Sequence, residues 1–246
     1  MGRGCQIGTR KNKIKGISFV MGDFSQNGII SNLHDFGTKT TADIEKELLK
    51  FSKERKMELI LPSLYSELKG DALPNIVKQI GETKYLNHII IGLDKASKSE
   101  AIKAWKFFKG LNTPFTILWN DGPKLKKLHE ELKEKGLAPS ETGKGRNVWY
   151  CLGMCIARDE ARSVALHDCD IKTYDRRMLA KLFYPVVNPF FNFEFCKGYY
   201  PRIANGKMNG RVARLLVFPL LTALEKTIGR SDYLEFMKSF KYPLAG

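Results

Sequence analysis

An α/β fold, with a mostly parallel, Rossmann-like sheet flanked by helices, is what this sequence predicts, and three observations predict it. Short apolar runs alternate with amphipathic helical stretches through the first 170 residues, at the spacing of right-handed βαβ units. The runs are continuously apolar, as in His88-Ile89-Ile90-Ile91-Gly92-Leu93-Asp94, which is the texture of strands buried on both faces of a parallel sheet. The chain, 246 residues at 43% hydrophobic and 27% charged, is large enough to bury one generous core or two small ones.

Taken in order, residues 1–20 are Gly- and Lys-rich and read as a disordered basic lead-in. Met21 opens a different texture, and 21–170 is expected to be one α/β domain, followed by a second region over 171–246. Residues 41–54 read as a helix capped by Thr41 or Asp43, with Ile44, Leu48, Leu49 and Phe51 on one face. A strand over 57–61 is expected to stop at Pro62, since a proline cannot donate to a ladder. Residues 63–70 then form a loop at a strand's carboxyl end. A helix over 73–80 leads to the strand at 88–94, which ends in an acid. Residues 97–109 form a helix expected to turn Ile102, Trp105 and Phe108 inward, and 115–119 form a third strand ending in Asn120-Asp121-Gly122. The helix over 124–135 carries lysines and glutamates at i, i+3 and i+4, the pattern of a solvated face.

The segment around which the chain is organised is Val164-Ala165-Leu166-His167-Asp168-Cys169-Asp170. A strand's period of two puts Asp168 and Asp170 on one face and Cys169 on the other. Two hard oxygen donors at a strand's carboxyl end suit a divalent cation that is also held by the phosphates of a nucleotide. On a D-x-D alone, two surface acids closing a strand is the commoner reading. Upstream, Glu141-Thr142-Gly143-Lys144-Gly145-Arg146-Asn147 precedes an apolar helix over 148–157; the paired glycines allow a ligand close to the backbone, and a helix N-terminus favours an anion. A plain basic turn is the bland alternative. Downstream, 174–183 reads as a helix ending near Pro185, and 190–200 as an aromatic strand whose stripe of Phe191, Phe193 and Phe195 is expected to be core. Asn209-Gly210-Arg211-Val212 opens a long helix to about Thr227, and Gly210 with Arg211 there makes a pocket that suits a phosphate.

Composition narrows the function classes. Of the net charge of +15, five charges come from Arg3, Arg10, Lys11, Lys13 and Lys15, with no acid among the first 20 residues, which leaves +10 spread over helices that also carry Glu. No zinc-finger, RNA-recognition or homeodomain pattern is present, and a basic surface serves small anionic substrates as well as nucleic acid. No apolar run approaches the roughly 20 residues that span a bilayer, and no signal-peptide core follows the basic start, so a cytoplasmic protein is expected. Five cysteines without paired C-x-x-C spacing are expected as free thiols, Cys151 and Cys155 lying one helical turn apart as small apolar groups.

Four stretches, in order, resemble the glucosyl-3-phosphoglycerate synthases, retaining glycosyltransferases of family 81 with the GT-A fold: Leu61-Pro62-Ser63-Leu64-Tyr65-Ser66-Glu67, Gly143 to Tyr150, His167-Asp168-Cys169-Asp170, and Cys196-Lys197-Gly198-Tyr199-Tyr200 followed by Asn209-Gly210-Arg211-Val212. The resemblance runs from about Met21 to Gly246. It implies transfer of glucose from a nucleotide-glucose, UDP-glucose first, to 3-phosphoglycerate, giving glucosyl-3-phosphoglycerate for glucosylglycerate synthesis. It implies Mg²⁺ or Mn²⁺ as cofactor, with Asp170 the direct ligand and Asp168 near the ribose or the metal's waters. Pro62, Leu64 and Glu67 would lie against the uridine, Asp94 near the base or ribose, and Lys144 at the donor. Gly210, Arg211 and Val212 would receive the acceptor's phosphate. No residue is implied as a covalent nucleophile. Ala213 stands where some relatives carry threonine, and an extra residue separates Leu64 from Glu67. Relatives continue past Pro243-Leu244-Ala245-Gly246, where a histidine metal ligand would lie, so a truncated synthase with an incomplete helical acceptor region is expected. A homodimer is the expected assembly, without nucleic acid or membrane. The alternatives are another GT-A transferase, using GDP-mannose or a different acceptor, a non-catalytic nucleotide-binding remnant and, third, a nucleic-acid binder.

Overall fold

The computed structural model of the protein describes residues 30–32, 39–191, 193–198, 203–204, 207–208 and 213–239. The lead-in over 1–20 and the candidate phosphate pocket at Gly210, Arg211 and Val212 lie outside the described residues. In chain order the elements are β1 (Ile30–Asn32), α1 (Thr41–Phe51), β2 (Met57–Leu64), a 3₁₀ turn (Tyr65–Lys69), α2 (Ala72–Gly81), β3 (His88–Asp94), α3 (Lys98–Phe108), β4 (Phe115–Trp119), α4 (Pro123–Glu134), α5 (Lys144–Arg158), β5 (Ser163–Leu166), α6 (Arg176–Val187) and β6 (Phe195–Lys197). After these come β7 (Ile203–Ala204), β8 (Lys207–Met208), a π-helical turn (Ala213–Val217), α7 (Phe218–Ile228) and α8 (Asp232–Ser239). The chain divides into two compact units, the first containing residues 38–196 and the second residues 197–246.

The first unit is built on a four-stranded parallel sheet in the order β4-β3-β2-β5. Alternation along the central strands divides the core. Leu59, Leu61, Ile89 and Ile91 face a cluster with Ile44 and Leu48 of α1, Ile76 and Ile80 of α2, and Leu179 and Phe183 of α6. Ile60 and Ile90 face the opposite way, against Cys151 and Cys155 of α5. Each such fully buried aliphatic side chain contributes about 1.5–3 kcal/mol, which is why these two layers fix the sheet between them. Burial also pushes the Cys151 and Cys155 thiols up to about 12, so both behave as the packing groups the sequence predicts.

Several sequence expectations are corrected. Strand β2 does not stop at Pro62 but runs to Leu64, with Pro62 opposite Gly92 on β3. Successive residues of a strand point their amides to opposite neighbours, and the carbonyl of Ile60 faces β5, where it accepts from His167 N. The Pro62 nitrogen therefore faces the side on which pairing to β5 has ended at Ile60 and Leu166, and no ladder bond is lost. Helix α1 is capped by Thr40, not Thr41: Thr40 Oγ1 accepts from Asp43 N at 3.2 Å, and Asp43 Oδ2 accepts from Thr40 N at 3.1 Å. In α3 the inward pair is Ala104 and Phe108, one turn apart, leaving Ile102 and Trp105 at 52% and 50% exposure. Helix α6 continues through Pro185 to Val187, because a proline in the last turn forfeits only one helical bond. The aromatic stripe is not core: Phe191 and Phe195 are exposed, Phe193 is only half-buried, Phe190 beside them is 89% exposed, and among the described residues of 190–200 only Phe195–Lys197 form a strand, paired with β1.

In the second unit β7 and β8 pair antiparallel, and α7 and α8 are joined by a Lys238–Glu225 ion pair. The long helix expected from Asn209 is described from its π-helical turn at Ala213 to Ile228. No helix among the described residues is long and apolar enough to cross a membrane.

Two outcomes follow from the packing. A Cβ at Gly92 would fall 1.6 Å from Asn147 Oδ1 and 2.7 Å from Cys151 Sγ, so Gly92→Ala pushes α5 off the sheet. It is expected to cost about 1–3 kcal/mol in urea unfolding. Burial holds His167 neutral, lowering its pKa from 6.5 to about 4 against a smaller opposing effect of Asp168. Unfolded chains take up that proton below 6.5 and folded ones only near 4, so stability is lost as pH falls through this window. The loss reaches about 3 kcal/mol, and His167→Phe should flatten it in urea titrations at pH 7 and 5.

Candidate functional site

Strands β2, β3 and β4 step to one side of the sheet, and β5 then returns to the far side of β2. The reversal leaves a crevice outside the carboxyl ends of β2 and β5, the place where open α/β sheets bind ligands. A cleft of about 560 Å³ lies there. Pro62, Leu64 and Glu67 reach it from the end of β2, Asp94 from the end of β3, Lys144 from the start of α5, and Asp168 and Asp170 from the turn after β5. The sequence-predicted donor and metal residues are thus brought together in one cavity.

Local folding explains each placement. Register sets Leu64 opposite Asp94 and Leu93 opposite Trp119, so three strand ends stop at one level. Asp94 is buried and its Oδ1 accepts from Asn120 Nδ2 at 2.8 Å, a bond that fixes its orientation. Glu67 folds back on the β2 terminus, accepting from Leu64 N and Ser63 Oγ at 3.0 Å each. Burial raises its pKa and the charges of Asp170 and Asp168 add to the rise, against the lowering effect of those two bonds.

Helix α5 begins earlier than the sequence suggests, at Lys144, so the Gly-Lys-Gly stretch is its first turn rather than a preceding loop. Gly143 is its N-cap at φ 144°, a backbone conformation that suits glycine, and no side chain caps the free amides. Lys144 Nζ makes an ion pair with Asp168 Oδ1. Asp168 and Asp170 stand past the end of β5 rather than on it, yet the alternation persists: Cys169 is buried between them, and both acids line the cleft.

Asp121, Lys95, Arg146 and Asn147 also line the cleft and were not singled out from the sequence. Asp121 had a signal, since it follows β4 as Asp94 closes β3; its Oδ2 accepts from Ala96 N at 3.0 Å. Arg146 had the Gly-Lys-Gly-Arg stretch; its Nε is buried without a hydrogen-bond partner. Asn147 closes the same stretch, but nothing in it foretold that its side chain donates to Gly92 O at 2.9 Å across the helix–strand contact.

No family model matches the chain. The glucosyl-3-phosphoglycerate synthase of Persephonella marina is 43% identical over 226 residues, which are 92% of this chain and 56% of that protein. Along most of its own length the chain is similar to that glucosyl-3-phosphoglycerate synthase. The synthase of Methanococcoides burtonii is 38% identical over 228 residues, 91% of this chain and 55% of that protein. The chain thus spans just over half the length of the curated synthases it matches. A crystal structure of the synthase from Mycobacterium tuberculosis, in complex with Mn²⁺, UDP-glucose and phosphoglyceric acid, aligns at TM-score 0.52 and 18% identity, covering 80% of this chain and 59% of that one. The fold is therefore that of these synthases, the GT-A-type α/β sheet that the sequence resemblance implied.

The bond that aims Asp94 into the cleft should be measurable. Asn120→Leu removes a hydrogen bond to a buried carboxylate and is expected to cost about 1.5–3 kcal/mol in urea unfolding. Asn120→Asp, which sets a second carboxylate against the first, should cost more.

Proposed function

We propose that this chain carries the donor side of a metal-dependent retaining glucosyltransferase, moving glucose from a nucleotide-glucose, UDP-glucose first, to the hydroxyl of 3-phosphoglycerate. The observation that carries the reading is the meeting of Asp168, Asp170, Lys144 and Glu67 in one cleft at the sheet's reversal, in a chain 43% identical to a synthase of that activity. In this reading residues 21–170 hold the donor and the acceptor region begins within 171–246. The cytoplasm is the proposed compartment, in keeping with the free thiols Cys151, Cys155, Cys169 and Cys196.

The donor set fits Mg²⁺ or Mn²⁺. Asp168 and Asp170 offer hard oxygens, while no group of three or more His, Cys, Asp or Glu among the described residues forms a closed metal cage. One or two carboxylates, with the remaining positions left to phosphate oxygens and water, is how such ions are held beside nucleotides. When bound, the metal would neutralise charge on the departing diphosphate.

The chain's own residues do the rest. The uncapped first turn of α5, with Lys144 and Arg146 on it, presents amides and cations to a diphosphate, and the buried Nε–H of Arg146 is a donor awaiting an acceptor oxygen. Pro62 and Leu64 supply an apolar wall for the nucleoside, and Asp94 and Glu67 supply acceptors for its hydroxyl or imide groups. Gly210, Arg211 and Val212 are the proposed seat of the acceptor's phosphate. Catalysis by positioning and charge stabilisation needs no covalent nucleophile, and the acceptor hydroxyl would attack on the face from which the diphosphate leaves.

Calorimetry with Mn²⁺ and a panel of UDP-glucose, GDP-glucose and GDP-mannose tests the donor, and glucosyl transfer to 3-phosphoglycerate tests the acceptor. Binding of a nucleotide-glucose that weakens at least about ten-fold in Asp170→Ala is expected. Absence of nucleotide-sugar uptake by the native chain would overturn the proposal, and a preference for GDP-mannose would favour the other transferase.

A further inference from the structure

We infer that Lys144 is a tethered cation that exchanges with the divalent metal on Asp168, so that metal and nucleoside diphosphate bind the cleft as a coupled pair rather than independently. The inference rests on reading Asp168 and Asp170 as the metal's carboxylates.

The contact itself is the first observation. Lys144 and Asp168 are 24 residues apart in sequence, on α5 and on the turn after β5, and their side chains meet as an ion pair at the mouth of the cleft. Both carboxylates line that cleft, but among the described residues only Asp168 is paired with a cation of this chain, and Asp170 stands exposed beside it. The ammonium of Lys144 thus holds the kind of position that a dication between the two acids would claim.

The second observation is what lets Lys144 leave. It is the first residue of α5, flanked by Gly143 at φ 144° and by Gly145, and a Cβ at either glycine would meet nothing within 4 Å. Its side chain is half exposed, so no packing holds it on Asp168. The free amides of the α5 first turn and Arg146 mark where an anion would settle. A diphosphate bound there draws the Lys144 ammonium toward its own oxygens and away from Asp168. That frees one acid for the metal or its waters at the moment the diphosphate also offers ligands. By linkage, whatever factor the diphosphate adds to metal affinity the metal adds to diphosphate affinity.

General attraction between acids and a dication makes a simpler prediction, because any nearby lysine would then weaken metal binding by the same field. Lys95 also lines the cleft but makes no ion pair with Asp168, so it is the matched control.

The experiment titrates Mn²⁺ into the full chain, following free Mn²⁺ by electron paramagnetic resonance, with and without UDP. For a half-exposed ion pair, Lys144→Met should tighten Mn²⁺ binding in the absence of nucleotide about five-fold, while Lys95→Met changes it less than about two-fold. Lys144→Arg, which keeps the cation, should stay close to the native value. In an Asp168→Asn background the gain from Lys144→Met should vanish, and in the otherwise native chain Lys144→Met should shrink the factor by which UDP tightens Mn²⁺. A Lys144→Met gain no larger than that of Lys95→Met, or one that persists in Asp168→Asn, would overturn the exchange alone. Native protein that takes up no Mn²⁺ even with UDP would overturn the carboxylate–metal reading and the exchange with it.

Discussion

The position of β5 on the far side of β2 is the constraint on which the rest of the molecule depends. Had β5 continued outward beyond β4, its two acids would stand beside the end of β4, with two strands between them and the end of β2. Because it returns beside β2, the turn bearing Asp168 and Asp170 faces the Pro62–Glu67 segment, and α5, which leads into β5, must cross the sheet with its N-terminus at the same edge. One topological choice therefore brings acids, cations and an apolar wall together. The close approach of α5 through Asn147 and Gly92 keeps the helix start at that edge.

Charge in the cleft runs against charge on the molecule. The chain as a whole carries +15, yet Glu67, Asp94, Asp121, Asp168 and Asp170 line the cleft against Lys95, Lys144 and Arg146. A basic surface draws anions toward the protein, while the local excess of acid disfavours an anion arriving alone. The combination favours an anion that comes with a cation, which is the chemistry of a metal-chelated diphosphate. It also explains why net charge alone pointed equally to nucleic acid: the discriminating charges are a handful of side chains whose neighbours are set by the fold.

What the sequence disclosed and what it hid follow a physical division. The central strand at 88–94, buried along its whole length, announces itself by continuous apolar character, as does the half-buried edge strand at 115–119, and the D-x-D and Gly-Lys-Gly segments by residue type. Hidden features depended on tertiary partners. Pro62 reads as a stop until the missing partner on its β5 side is known. Ile102 and Trp105 read as inward because periodicity gives an apolar face but not its exact phase, and Ala104, too small to mark a face, is the residue that packs. The Phe190–Phe195 stretch reads as core by composition alone, although among the described residues the strand there is only Phe195–Lys197. Asn147 lay inside the Gly-Lys-Gly-Arg stretch but carried no signal of its packing role, since that role includes a hydrogen bond to a glycine 55 residues away.

The geometry of the acid pair is finally owed to the residue between the two acids. Asp168 and Asp170 lie beyond the last ladder pair of β5, where no strand bonds enforce alternation. Cys169 supplies the constraint instead: at 2% exposure it packs into the main core with Ala165, Tyr174 and Leu179, and burial drives its thiol pKa up, so it stays a neutral apolar anchor. With the middle side chain drawn into the core, both flanking carboxylates are turned to the cleft, whatever the backbone's secondary structure. His167, buried on the other side of Asp168 with its ring edge-on to Tyr174 at 5.3 Å, pins the segment a second time. Two buried residues thus hold two carboxyl side chains at the mouth of the cleft. The acids can exchange one cation for another there without the turn itself having to move.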